Sequence, residues 1–249
     1  MGRRGQRKAL KRLFAPKNWR IERKVKEWTV KPIPGPHSKE VSIPITILLR
    51  DYLGHASNRR EVNFILNNGD VLVNGKAIKD SSFPVGLMDV IEIPKTKEFF
   101  RVLFDKKGSV NLVKIDESEK NTKLFKLIDK TKIKGNKLQL NLDNGANILS
   151  DENYQTSSTL VMKVPEMKIV DSLELKEGYL GLVIKGKNVS KVGKISKITP
   201  YGIYKDAVIL ESGDDKFQTL KDYVLVVGKD SPIIKLEWGT AGLESRRGS

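Results

Sequence analysis

The chain has 249 residues, 46 of them Lys or Arg against 30 Asp or Glu, a net charge of +16. It has no cysteine, which excludes disulfides, thiolate zinc sites, iron–sulfur clusters and cysteine nucleophiles. His37 and His55 are the only imidazoles, too few for an ordinary structural zinc site. No run approaches the ~18 apolar residues of a membrane span, and no apolar stretch with a cleavage site follows the basic N-terminus. The expectation is a soluble, basic, intracellular protein of several small domains.

Most of the excess charge lies at the start. Residues 1–31 hold twelve cations (Arg3, Arg4, Arg7, Lys8, Lys11, Arg12, Lys17, Arg20, Arg23, Lys24, Lys26 and Lys31) and two acids, Glu22 and Glu27. Gly2, Gly5, Pro16 and the run from Pro32 to Pro36 interrupt any regular helix. Such a segment cannot build a core alone, whereas a polyanion would supply its counter-charge. Leu13, Phe14, Trp19, Ile21 and Trp28 lie among the cations, and a mere solubility tail rarely carries two tryptophans. The aromatics either stack on unpaired bases or pin the arm to a neighbouring domain. An RNA-binding arm is the favoured reading. Membrane attachment is not, because no sustained apolar helical face accompanies the charges.

From Ser42 to Ile93 the pattern is helix, helix, hairpin. Ser42 and Pro44 mark a helix start, with Ile45, Leu48, Leu49 and Tyr52 at helical spacing and Gly54 as its end. Asn58, with Glu61 three residues on, starts a second helix that carries Val62, Ile65 and Leu66 on one face. Gly69 stops it. Residues 71–73 and 76–78 flank Asn74-Gly75, the strongest two-residue hairpin signal, and a strand follows at 90–93. Ser57, Asn58, Arg59 and Arg60 bring helix-end N–H groups and two guanidiniums together, a phosphate-binding arrangement that Lys76 at the hairpin tip can extend.

The string Ser57-x-Arg59-Arg60, then Asn67 through Lys76, resembles the S-four (S4) RNA-binding domain, which grips structured RNA with its second helix and adjoining hairpin. Residues 11–19, Gly35-Pro36-His37 and residues 83–91 are similar to signatures of the ribosomal S-four-e (S4e) family. That resemblance implies a small-ribosomal-subunit protein of archaea or eukaryotes, ordered as basic arm, S4 domain, central β region and KOW motif.

After Pro94 the period becomes that of strands. Residues 99–104, the turn 105–108 and residues 110–115 read as a hairpin. Leu138, Leu140 and Leu142 alternate before the turn Asp143-Asn144-Gly145, and residues 160–164 and 169–170 read as further strands. The spacing suggests a small barrel. Residues 181–188 nearly match a phosphate-binding loop, but Asn188 stands where Ser or Thr is needed and no helix follows, so the nucleotide reading fails. A strand at 182–184, a basic loop at 185–191 with Lys185, Lys187 and Lys191, and a return strand at 192–195 fit better, and they resemble the KOW motif. Residues 228–239 resemble the closing segment of the family.

No Gly-x-Ser-x-Gly elbow or His-Glu-x-x-His pair is present, and the acidic pairs Asp151-Glu152 and Asp214-Asp215 have no organised partners. The expected fold is α+β: a basic N-terminal arm (1–40), an S4-type helix-helix-hairpin domain (41–95), a central β barrel-like region (96–172), a small C-terminal β barrel with the KOW motif (173–240) and a flexible tail (241–249). The resemblance implies a non-enzymatic constituent of the small subunit, on cytoplasmic ribosomes. It would bind small-subunit ribosomal RNA and neighbouring ribosomal proteins, with no cofactor, metal, membrane, small-molecule substrate or homo-oligomer. The expected RNA-binding residues are Arg3, Arg4, Arg7, Lys8, Lys11, Arg12, Lys17, Trp19, Arg20, His37, Ser57, Asn58, Arg59, Arg60, Asn74, Lys76, Lys185, Lys187, Lys191, Arg246 and Arg247. The rival readings are an S4-containing RNA-modifying enzyme and a KOW-type transcription or translation factor.

Overall fold

The computed structural model describes residues 9–135, 137–200, 206–213 and 215–236. Within the expected arm, β1 (Leu10–Lys11) pairs antiparallel with β2 (Trp28–Thr29), and the chain between them folds back through a 3-10 turn at Arg12–Phe14. Leu10, Ala15 and Trp19 are buried in the core of the next module. The Trp19 indole N–H donates to the Ser42 carbonyl at 2.7 Å, and the Arg20 backbone N–H donates to the Tyr52 hydroxyl at 2.9 Å. Of the two readings for the aromatics, pinning therefore holds for Trp19. A ring 2% exposed has no face left for a base.

Ser42–Pro44 forms a strand, β3, instead of opening a helix, because it pairs with residues 84–86 across the module. The helix α1 (Ile45–Ile47) begins after Pro44 and widens into a π-helical stretch over Leu48–Tyr52. Ile45, Leu48, Leu49 and Tyr52 are buried, as their spacing requires. α2 (Arg59–Asn67) follows and buries Val62 and Leu66. β4 (Leu72–Val73) and β5 (Lys76–Ala77) form the expected hairpin; Asn74 at φ 52° and Gly75 at φ 75° supply the two left-handed residues of a type I′ turn. β6 (Pro84–Gly86) returns to β3. The strands β7 (Val90–Ile93), β8 (Glu98–Phe104) and β9 (Val110–Lys114) complete a sheet ordered β5-β4-β7-β8-β9. That sheet runs across the expected boundary at 95/96. The reason is burial: Phe100, Val102, Phe104, Val110 and Leu112 face the same core as the two helices.

The second sheet, ordered β12-β11-β10-β13-β14, holds β10 (Thr122–Lys132), β11 (Leu138–Leu142), β12 (Asn147–Ser150), β13 (Thr159–Lys163) and β14 (Lys168–Leu173). It is not the closed barrel the strand spacing suggests. The register of β10 shifts between Leu127 and Asp129, so β13 pairs with residues 122–126 and β11 with residues 127–132. The two hairpins are thereby staggered along one long strand, and the edges β12 and β14 do not meet. The third sheet, ordered β18-β17-β16-β15-β19, contains β15 (Leu180–Val183), β16 (Val192–Thr199), β17 (Ala207–Ser212), β18 (Asp215–Leu220) and β19 (Val224–Gly228), and is likewise open.

One core joins all three sheets. Met88, Leu103 and Val113 from the first meet Leu124, Val161 and Leu173 from the second and Leu182, Val208 and Val226 from the third. Polar ties accompany it. The buried Lys126 ammonium donates to the carbonyls of Lys221 and Val224, both at 2.7 Å. Burial pulls its pKa down to about 8, against the pull of Asp222 in the other direction. The fully buried Arg101 donates to the carbonyls of Glu119 and Thr122 at 3.1 and 2.8 Å, and its guanidinium meets the Glu119 carboxylate at 3.1 Å.

Truncating Trp19 removes both a large buried ring and a buried hydrogen bond. Trp19→Ala should cost about 3–5 kcal/mol in urea denaturation and make the segment from Lys11 to Lys31 the first site of tryptic cleavage. An unchanged midpoint and cleavage pattern would show that the arm is not docked.

Candidate nucleic-acid interface

The N-terminus of α2 is built as its sequence prescribes. Asn58 sits in extended conformation, and its side-chain oxygen accepts the N–H groups of Arg60 and Glu61 at 2.9 and 3.0 Å. Glu61 reaches back to the Ser57 N–H at 2.7 Å and to the Asn58 amide at 2.6 Å. This capping box uses helix-end donors that the phosphate-binding reading had assigned to RNA. Asn58 is thus a cap. Arg59 lies back toward Ser81 and Ser82, at 3.2 and 3.4 Å from their hydroxyls. Arg60 is exposed and meets no carboxylate, so it is the free cation of this tip.

A cleft of about 350 Å³ beside it is lined by Arg12, Lys26, Arg50 and Ser57 together with Glu22 and Asp51. Two of its cations are already engaged. Arg50 forks onto Asp51 at 2.9 and 2.6 Å, and this pairing holds the guanidinium above its ordinary pKa against the effect of burial. Arg12 is buried and donates to the Glu22 carbonyl, so it holds the arm's turn together and presents no charge to a ligand.

The hairpin tip and His37 differ most from expectation. Asn74 turns inward, its amide donating to Asp89 at 2.8 Å and its oxygen accepting the Val90 N–H at 3.0 Å. A Cβ on Gly75 would lie 2.9 Å from the Pro165 ring, so the central sheet covers the turn, and Lys76 alone stays exposed. His37 Nε2 lies 2.9 Å from the same Asp89 carboxylate, which also accepts the Gly86 N–H at 2.8 Å and the Lys123 ammonium at 2.5 Å. Burial alone would raise the Asp89 pKa; Lys123 and His37, with the hydrogen bonds of His37 and Asn74, hold it far below the usual carboxylate range. His37 and Asn74 therefore serve a buried network, not an RNA surface.

The loop at 185–191 is a strand–loop–strand element, as expected, closed by Ser190 N–H to the Val183 carbonyl at 2.7 Å and Val183 N–H to the Lys191 carbonyl at 3.0 Å. Gly186 adopts φ 89° and lies against the Tyr223 ring, where a Cβ would be 3.3 Å from a ring carbon. Lys185, Lys187 and Lys191 are exposed, and the Lys191 ammonium sits 4.9 Å from the centre of the Phe217 ring. Val189 packs toward Gly108 in the β8–β9 turn, at 3.3 Å from where a Cβ would stand. That contact brings Lys106 into one cleft with Lys187, Lys191 and Phe217.

The turn itself is organised by Asp105, which accepts the N–H groups of Lys107 and Ser109 and pairs with Arg20. Arg20 is thus compensated. Lys17 is exposed beside Asn18, whose carbonyl accepts the Val110 N–H at 2.9 Å. Lys11 is exposed and loosely paired with Glu27 at 3.7 Å. Sequence reading missed Lys106 and Lys107. Their only local signal is two lysines inside a hairpin turn, and nothing in the chain between 108 and 185 says that the two basic loops meet. Arg3, Arg4, Arg7, Lys8, Arg246 and Arg247, with residues 237–239 of the closing segment and Asp214, lie outside the described residues.

Asp89→Asn leaves Lys123 buried without its counter-charge and should cost about 3–5 kcal/mol. Because folding depresses the Asp89 pKa, the wild type holds this advantage fully above the ordinary carboxylate pKa of about 4 and loses it as pH falls below that. Denaturation from pH 7 to pH 3 should therefore show the gap between wild type and variant narrowing. A constant gap would contradict a charged Asp89.

Comparison with known proteins places these features in one group. A family model described as Ribosomal family S4e matches residues 96–169, the RS4NT (NUC023) domain matches residues 4–40, and the S4 domain matches residues 47–91. The chain is 50% identical over 233 residues to the small ribosomal subunit protein eS4 of Methanosphaera stadtmanae, covering 93% of this chain and 97% of that one. It is 42% identical over 246 residues to the eS4 of Methanocaldococcus jannaschii, covering 95% and 100%. The crystal structure of the 30S ribosomal protein S4e from Thermoplasma acidophilum superposes with a TM-score of 0.66 at 32% identity, covering 76% of this chain and 95% of that one.

Proposed function

Since this chain belongs to the ribosomal S4e family, we propose that it is a structural constituent of the small ribosomal subunit and holds folded small-subunit ribosomal RNA through phosphate contacts. The family is one of ribosomal proteins and not of enzymes. The observation that carries the RNA-binding mechanism is the placement of uncompensated cations. Arg60 and Lys76 sit on the S4 module, and Lys106, Lys185, Lys187 and Lys191 sit around the KOW-like loop. Elsewhere many lysines and arginines are bound to carboxylates or carbonyls of the chain itself.

Rigid, exposed cations on loop tips neutralise phosphates and release counterions, and they read the shape of a folded RNA more than its base sequence. Phe217 beside Lys191 adds a ring against which an unpaired base can stack. Lys11, Lys17 and the terminal cations Arg3, Arg4, Arg7, Lys8, Arg246 and Arg247 extend the same charge. Site of action on cytoplasmic ribosomes, neighbouring small-subunit proteins as further partners, and a KOW role for the loop all belong to this reading. The modifying-enzyme alternative would need an organised catalytic group. Among the described residues, no group of three or more His, Asp or Glu is placed to hold a metal ion.

The test is filter binding to small-subunit ribosomal RNA across a salt series. Arg60→Ala and the pair Lys187→Ala, Lys191→Ala should each weaken binding and flatten the dependence of log K on log salt by about one unit per lost phosphate contact. Melting temperatures should not move, because none of these side chains supports the fold. Unchanged slopes would remove the corresponding loop from the interface.

A further inference from the structure

The central sheet offers a cleft that neither the basic surfaces nor the packing of the chain uses. Its edge strands β12 and β14 face each other across about 760 Å³ of open space. The β11–β12 hairpin closes with the Leu142 N–H bonded to the Ala146 carbonyl at 2.9 Å. The hydrogen-bonded pairs are therefore 140 with 148 and 138 with 150, and Asn147 and Leu149 turn their N–H and C=O groups to the open edge. Such a row of backbone groups is a template for another strand.

The side chains fit that role. Ile148, Met167 and Ile169 are half-buried against the Phe125–Leu160 core and reach the cleft floor, while Leu149 and Val170, 56% and 58% exposed, stand at its rims. The charge is the reverse of the rest of the molecule. Asp151, Glu152 and Asp171 line the cleft, and its one cation, Lys168, is paired with Glu166 at 2.8 Å. A phosphate backbone would be repelled here. A second copy of the chain would bring identical acidic rims together, which also disfavours pairing.

We propose that this cleft takes an extended, lysine- or arginine-rich segment of another protein, added as a β-strand along the β12 and β14 edges. Main-chain hydrogen bonds hold the segment; alternate apolar side chains drop toward Ile148 and Met167, and the basic ones reach Asp151, Glu152 and Asp171. The inference stands apart from the RNA contacts, and its test uses no ribosome.

The intact chain is titrated calorimetrically with a synthetic eight-residue peptide of alternating lysine and valine. Controls are the same peptide N-methylated at alternate amides, a glutamate–valine counterpart and a single-stranded RNA. Uptake of the lysine peptide should weaken at least tenfold on N-methylation, and equally in Asp151→Lys combined with Asp171→Lys at unchanged melting temperature. The acidic peptide should not bind. Equal affinity of the N-methylated peptide, insensitivity to the charge reversal, or displacement of the peptide by RNA would overturn the proposal. So would self-association of the chain, abolished by Leu149→Lys, in place of peptide binding.

Discussion

Four separate stretches of chain converge on one buried carboxylate. Asp89 receives His37 from the end of the arm, Asn74 from the hairpin, the Gly86 N–H from its own turn and Lys123 from the central sheet. A charge this deep is tolerated only if its lone pairs are all engaged, so each partner is held in place by the others. The approach of His37 also fixes Gly86, where a Cβ would come within 2.3 Å of the imidazole. The hairpin tip cannot swing, the arm cannot lift, and the central sheet is locked at a set distance from the helices. The exposed cations that remain inherit that rigidity.

Features written locally were legible in the sequence, and features written between distant segments were not. The Asn58–Glu61 box, the Asn74-Gly75 turn, the leucine alternation of β11 and the basic loop at 185–191 each depend on a few neighbouring residues, and each folds as its pattern implies. Trp19, His37 and Asn74 looked like RNA ligands because polar and aromatic residues beside cations suggest recognition. Their partners lie at Ser42 and Asp89, and no local pattern announces a buried acid. The pairing of β8 with β7 and the bend in β10 were hidden for the same reason, since both answer to which face is buried and not to turn chemistry. At the interface the cap and loop lysines could be read, whereas Lys106 enters only through the contact of Gly108 with Val189.

The charge is also more ordered than a net +16 suggests. Cations near the arm and the first sheet are partly neutralised within the protein, by Glu22, Asp51, Asp105 and Glu119. The free ones gather on loop tips, and the acidic surplus gathers on the open side of the central sheet. A polycation spread evenly would bind nucleic acid in any orientation. Sorting the surplus to opposite sides gives the molecule a direction with respect to an anionic surface.

The core shared by the three sheets has a consequence for how the protein is made. Met88, Leu103 and Val113 leave the ribosomal tunnel well before Leu225 and Val226, which cover them, and Lys126 waits 98 residues for the carbonyl of Val224. At ordinary translation speeds of about 5–20 residues per second, the first module presents a bare apolar face for roughly 5–20 s. During that interval it is the nascent chain, and not the finished protein, that is most exposed to premature capture. A protein so basic, synthesised amid polyanions, meets its first hazard at birth.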